Sequence, residues 1–94
     1  MTKTELKRQQ TKAVIELLQN KFGAKNFDDE GHGYFTFNVG EFTGHLERRD
    51  FSVMFFDSIK LHNPEDFPVE TVERHKRAVT LEDEINKAIT NLLK

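Results

Sequence analysis

Residues 34–56 read YFTFNVGEFTGHLERRDFSVMFF, and this stretch decides the fold. Large apolar residues recur at every second position, which is typical of strands that bury one face. Gly40-Glu41 interrupts the pattern with glycine first, as a two-residue II′ turn requires. Arg49-Asp50 interrupts it again and indicates a second short turn. We therefore predict three antiparallel strands joined as a meander.

Two-residue turns at both interruptions also predict the register, because opposed residue numbers must then have a constant sum in each hairpin. The face predicted to be buried carries the rows Val39–Phe42, Phe35–Leu46–Val53 and Phe37–Gly44–Phe55. The other face carries Tyr34–Glu47–Ser52, Thr36–His45–Met54 and Asn38–Thr43–Phe56. On the first face, the missing side chain of Gly44 leaves room for two flanking phenyl rings.

Helices are predicted before and after the meander in the sequence. Thr2 and Glu5 have capping-box spacing, and Gly23 is a natural stop for the helix that follows. Residues 24–33 are predicted to be a loop, and Pro68 opens a helical tail. Two apolar sets in this tail lie at different helical phases, which favours two helices, about 68–78 and 81–93, over one long helix whose faces contact different partners. The predicted fold is a single α+β domain over residues 1–94, in the order α-β-β-β-α-α.

Charge and composition restrict the function classes. The 94 residues hold 14 Lys and Arg and 16 Asp and Glu, so the net charge is −2, and there is no cysteine. A dedicated nucleic-acid binder is usually basic enough to neutralise several phosphates. The sequence has no signal peptide, lipidation motif or long apolar run, which predicts a cytoplasmic protein without membrane contact. Because the chain starts at Met1 and its last apolar turn ends near the terminus, we expect a complete small protein.

The segment ERRDF, residues 47–51, raises two interpretations. An aromatic sheet face with interleaved cations would stack on nucleic acid, but Glu47 is the charged group among Tyr34, Met54 and Phe56. We therefore favour a hairpin turn that leads into a buried strand, and a small non-catalytic protein that binds another protein, with a homodimer as the simplest partner. Its size is typical of accessory, regulatory or inhibitory proteins of bacteria and phages. The partner-binding candidates are Tyr34, His45, Met54, Phe56, Arg48 and Arg49.

Nucleic-acid binding is the first alternative. It would use the basic first helix, the turn arginines Arg48 and Arg49, and the arginines of the tail. The candidates on the helices are Lys3, Lys7, Arg8, Lys12, Arg74 and Arg77. The order α-β-β-β-α resembles the double-stranded RNA-binding domain in topology. That domain's RNA contacts rely on a basic cluster that opens the helix after the third strand, whereas NPEDFPVE, residues 63–70, is acidic here. We therefore assign no family.

A small hydrolase or metal enzyme is the second alternative. His45 and Glu47 share a strand face, with Asp57 further along, and a histidine with a carboxylate is the minimum for acid–base catalysis. NFDDEG, residues 26–31, imitates the first half of a calcium loop, but Phe37 stands where the bidentate glutamate is needed. We predict no catalytic residue, no cofactor and no metal site.

Overall fold

The computed structural model describes residues 2–94, which form a layer of two helices packed on a four-stranded antiparallel sheet. Helix α1 spans Lys3–Phe22 and α2 spans Val69–Leu93. The strands are β1 Lys25–Asp29, β2 Tyr34–Val39, β3 Phe42–Glu47 and β4 Val53–Phe55, and they lie side by side in chain order. The α+β class is confirmed, with one strand more and one helix fewer than predicted.

Both ends of α1 follow the sequence signals. The Glu5 backbone N–H donates to Thr2 Oγ1 at 3.1 Å, which satisfies one of the free donors of the first turn. Gly23 ends the helix in the left-handed region at φ 69°, and its N–H donates to the Leu18 carbonyl. Val14 and Leu18 are fully buried, so this side of the helix faces the core.

The predicted register of the meander is confirmed. Phe35 lies opposite Leu46, and Gly44 lies opposite Phe55. Gly40 has φ 57° while Glu41 stays outside the left-handed region, as a turn with glycine first requires.

The second turn is longer than predicted. The loop contains residues 48–51, and the Phe51 N–H donates to the Glu47 carbonyl at 2.9 Å. Phe51 itself has φ 60°. The loop takes one residue from each predicted strand, so Glu47 still pairs with Ser52 and the register does not shift.

Strand β1 lies within the segment predicted to be a loop. Lys25 pairs with Asn38 and Asp28 with Thr36, with a bulge between them where Asn26 has φ 62°. The Phe27 ring stacks on Phe37 at a centroid distance of 5.2 Å. Phe27 is the only apolar residue in KNFDD, so the segment shows no alternation from which a strand could be predicted.

The tail forms one continuous helix, Val69–Leu93, and the prediction of two helices is wrong. Ala78, Ile85 and Ile89 are buried on a single stripe. The second apolar set of the tail, which begins at Val69, lies outside the core at its start, since Val69 is 73% exposed. Val72 and Val79 of the same set are half-buried, so this set lies at the margin of the core and one helix accommodates both sets without a break. Neither helix of residues 2–94 is long and apolar enough to cross a membrane.

The connection between β4 and α2 contains two 3₁₀ turns, Phe56–Ser58 and Pro64–Asp66. The last strand therefore ends at Phe55 and does not continue through Ile59 and Leu61. The Ser58 hydroxyl donates to the Phe55 carbonyl at 2.8 Å and helps to turn the chain away from the sheet. Pro64 opens the second turn, and the Asp66 N–H donates to the Asn63 carbonyl.

Both helices cover the same face of the sheet. Leu18 of α1 and Ile85 of α2 belong to one core cluster with Phe37, Leu46 and Phe55. We call this the covered face. Within residues 2–94, no helix lies on the opposite face, and the residues of that face are half-buried or exposed. The fold therefore leaves one side of a 94-residue protein as a bare sheet.

Candidate functional site

The bare side of the sheet, here called the open face, collects most of the predicted partner-binding residues. Its members come from β2, β3, β4 and the first residue of the following turn: Tyr34, Thr36, Asn38, Thr43, His45, Glu47, Met54 and Phe56. Strand alternation places them together, because every second side chain of a strand points to the same face.

An aromatic row crosses the open face. The ring of His45 lies 5.3 Å from that of Tyr34 on one side and 6.1 Å from that of Phe56 on the other. Met54 stands directly opposite His45 on the neighbouring strand. Met54 is 42% exposed and Phe56 is 51% exposed, so the row ends in a patch of large apolar side chains that face water.

Carboxylates border this row. Glu47 lies 3.8 Å from the His45 imidazole, measured from Oε1 to Nε2. Glu30 accepts a hydrogen bond from the Thr36 hydroxyl at 2.8 Å, and Asp28 lies opposite Thr36 on β1. Lys25, paired with Asn38, is the cation at the far corner of the sheet. The border is therefore mainly anionic and repels a phosphate backbone.

The β4 edge of the sheet is closed by side chains of α2. The Val53 N–H donates to Asn86 Oδ1 at 2.9 Å, and Asn86 Nδ2 donates to the Val53 carbonyl at 3.0 Å. Glu82 Oε1 accepts from the Phe55 N–H at 2.9 Å. These are the outward backbone groups that another strand would use, so this edge does not invite strand addition. Sequence reasoning missed Asn86 and Glu82, because they lie in a helix more than 25 residues from their partners.

The opposite edge, β1, is protected differently. Its bulge at Asn26 breaks the regular spacing of backbone donors and acceptors, and Lys25, Asp28 and Asp29 add exposed charge. Irregular and charged edge strands discourage pairing with another chain. With both edges protected, the open face is the part of the sheet that is accessible to a partner.

Arg48 and Arg49 lie apart from the open face. Arg48 lies over the Phe35 ring of the covered face, with its guanidinium 4.4 Å from the centroid, and forms an ion pair with Asp29. The Arg49 carbonyl accepts a hydrogen bond from Lys7 Nζ at 2.8 Å. Arg48 therefore contacts the β1 region and Arg49 contacts α1. Neither residue lies with Tyr34, His45, Met54 and Phe56 on the open face.

The basic residues of α1 border a groove of about 920 Å³ between that helix and the sheet. We call it the α1 groove. It is lined by Lys3, Thr4, Lys7, Arg8, Thr11, Lys12, Ile15, Glu16, Gln19, Phe35 and Arg48. Four of the six nucleic-acid candidates, all those on α1, are thus brought to one concavity.

The two remaining candidates, Arg74 and Arg77, lie on α2, and both form ion pairs with acidic side chains. Arg77 donates to Glu41 Oε1 at 2.9 Å, and Arg74 contacts Asp57 at 3.1 Å and Glu41 at 3.2 Å. The hydrogen bond from Arg77 lowers the pKa of Glu41; partial desolvation opposes this, and the charges of both arginines add to it. The cations of α1 and α2 therefore do not form one surface, and nucleic-acid binding stays a hypothesis.

The candidate acid–base residues are only partly assembled. His45 and Glu47 are adjacent on the open face, but the Asp57 carboxylate is paired with Arg74. In NFDDEG, Asp29 binds Arg48 and accepts the Gly31 N–H, and Asn26 donates to Asn38. Among residues 2–94, no three histidine or carboxylate side chains are grouped as a metal site would need.

Comparisons with protein-family models, curated proteins and solved structures found no match for this chain.

Proposed function

We propose that the protein binds another protein, without catalysis, through the open face. The observation that carries this proposal is the exposure of Phe56 and Met54 beside His45 and Tyr34. Burial of apolar surface is favourable by about 25 cal/mol per Å², so an exposed patch of this kind favours association. Both helices are already used on the covered face, and about half of the surface of Met54 and Phe56 stays exposed.

The charges around the patch indicate the partner's chemistry. Glu47 lies beside His45, and Glu30 and Asp28 lie on the β1 side of the open face, so carboxylates border the aromatic row on that side. A matching surface has an apolar centre bordered by Lys or Arg, because complementary charges steer association and exclude wrong partners. A second open face would present the same carboxylates and, among its members, no Lys or Arg to pair with them. We therefore propose a different protein, and not a second copy, as the partner of this face.

The experiment that tests the proposal compares Phe56→Ser with Glu84→Ser during affinity purification from the cells that make the protein. Glu84 is exposed on α2 and serves as the control position. We expect the control to retain the co-purifying partner, at an amount that falls with salt, and the Phe56 variant to lose it. Equal recovery of the same partner with both variants would exclude the open face as the site.

A further inference from the structure

The α1 groove carries positive charge that the chain does not neutralise. Lys3, Lys7, Arg8 and Lys12 form no ion pair with any residue of the described chain, whereas Arg48 is paired with Asp29. Glu16 is the one acid that lines the groove. This concavity therefore attracts an anionic group from outside the molecule.

The floor of the groove favours an acidic peptide over a nucleic acid. Ile15 and Phe35 provide apolar surface, but Phe35 is the only aromatic lining residue and the guanidinium of Arg48 covers its ring. Single-stranded nucleic acid binds such grooves by stacking bases on free aromatic faces, and that contact is blocked here. Apolar side chains of a peptide need no free ring face, and its carboxylates pair well with Lys and Arg.

The chain itself carries a segment of this chemistry. Residues 65–70 read EDFPVE, and Phe67 and Val69 are 41% and 73% exposed. Within residues 2–94, no ion pair involves Glu65, Asp66 or Glu70. We call this the acidic segment. Its three free carboxylates and two exposed apolar groups complement the groove.

The groove and the acidic segment lie towards opposite ends of the molecule. The groove includes Phe35 and Arg48, at one end of the β2–β3 hairpin, while α2 starts beyond Arg74, which contacts Glu41 at the other end. We propose that a second copy of this chain lies antiparallel to the first, so that each groove receives the partner's acidic segment. Such a contact is isologous and closes at two copies.

The shape of the chain provides the area for this dimer. It exposes 6473 Å² for a mass of 11.0 kDa, whereas a compact monomer of that mass exposes about 5,600 Å². The elongated chain therefore exposes more surface than a compact one, and a stable interface takes roughly 800 Å² of such surface from each partner. The radius of gyration is 14.5 Å, against about 12 Å for a compact chain of this length.

Charge reversal tests the dimer. Sedimentation equilibrium of the full chain should show a reversible monomer–dimer equilibrium that weakens with salt. Arg8→Glu with Lys12→Glu, and separately Glu65→Lys with Glu70→Lys, should each weaken dimerisation by at least about tenfold. Mixing the two variants should restore dimerisation, because each altered groove then meets an altered segment of opposite charge.

The control variant, Lys87→Glu with Lys94→Glu, changes the net charge as much as the groove variant does but lies outside the groove and the acidic segment. It should have little effect on dimerisation. Circular dichroism melts verify that every variant is folded.

Three results would overturn the proposal. The first is a monomer at all concentrations, and the second is association that neither reversal affects. The third is a species that grows without limit, because it indicates open head-to-tail contacts. Retention of a single-stranded oligonucleotide that is lost in the Arg8 and Lys12 variant, without any dimer, would assign the groove to nucleic acid. Partner recovery by the Phe56 variant is measured separately, so this dimer and the proposed function can fail independently.

Discussion

Gly44 lies directly opposite Phe55 across β3 and β4, and a Cβ placed on Gly44 would come within 2.8 Å of Cδ1 of that ring. It would also approach the Met54 carbonyl oxygen at 2.9 Å. The ring and the backbone strand both occupy the space that a side chain would need. The absence of a side chain is therefore a packing requirement of the covered face.

We predict that Gly44→Val lowers the free energy of unfolding by about 1–3 kcal/mol through overpacking. Chemical denaturation measures this directly. A double variant that adds Phe55→Leu should recover part of the loss beyond additivity, because a smaller side chain opens space beside the new one. An unchanged melting temperature for Gly44→Val would show that the register described here is wrong.

Asn86 forms hydrogen bonds with the backbone N–H and carbonyl of Val53 that point away from the sheet. We predict that Asn86→Ala destabilises the fold by about 1–3 kcal/mol. The variant leaves a donor and an acceptor without partners and reopens an edge strand. Hydrogen exchange should become faster at the Val53 amide, and the protein should aggregate more readily. Asn91→Ala on the same helix, at an exposed position, is the control and should leave both properties unchanged.

Glu41 links the β2–β3 turn to α2, and its lowered pKa predicts the pH dependence of this link. A carboxyl with a lowered pKa in the folded state contributes stability above its ordinary pKa of 4.5, and loses that contribution as the pH falls below this value. Glu41→Gln should therefore melt at a lower temperature than the parent at neutral pH. The difference should shrink as the pH falls from 4.5 through the lowered pKa of Glu41 in the folded protein. A constant difference across this range would mean that the charge of Glu41 is not involved.

Substitution of Phe56 should weaken binding of a partner with little effect on the stability of the fold. Because about half of its surface already faces water, Phe56→Ser should change the free energy of unfolding by no more than about 0.5–1 kcal/mol. Phe55→Ser, one residue earlier but fully buried, should cost more than about 3 kcal/mol. Equilibrium denaturation of the two variants makes the comparison. If Phe56→Ser unfolds the protein, the residue belongs to the core and not to a binding surface.

The meander could be predicted because its turns and alternation are local signals. Gly40 marks one turn, and the apolar positions around Gly44 fix which face is buried. Strand β1 could not be predicted in this way, since it has a single apolar residue, Phe27, and its pairing with β2 depends on a bulge at Asn26. Its existence follows from tertiary packing of Phe27 on Phe37.

The structure of the tail and the α1 groove could not be predicted from local sequence signals, because both depend on contacts between residues far apart in the chain. Two apolar phases in residues 69–93 are compatible with two buried helices or with one helix that exposes a stripe, and Val69 shows the second outcome. The grouping of Tyr34, His45 and Met54 on one face was predicted, because strand alternation places them together, but whether the tail would cover that face could not be decided from the sequence. The α1 groove was not predicted, because it requires knowing that Arg48 folds back over Phe35, thirteen residues away in the chain.

The central claim is that the open face receives another protein, and residue-specific photo-cross-linking tests it most directly. A photoreactive phenylalanine analogue is placed at Phe56, and at Glu84 as the control, in the cells that make the protein. We expect position 56 to yield a discrete cross-link to one protein at a surface rich in Lys and Arg, and position 84 to yield none. No cross-link from position 56, or the same products from both positions, would contradict the claim.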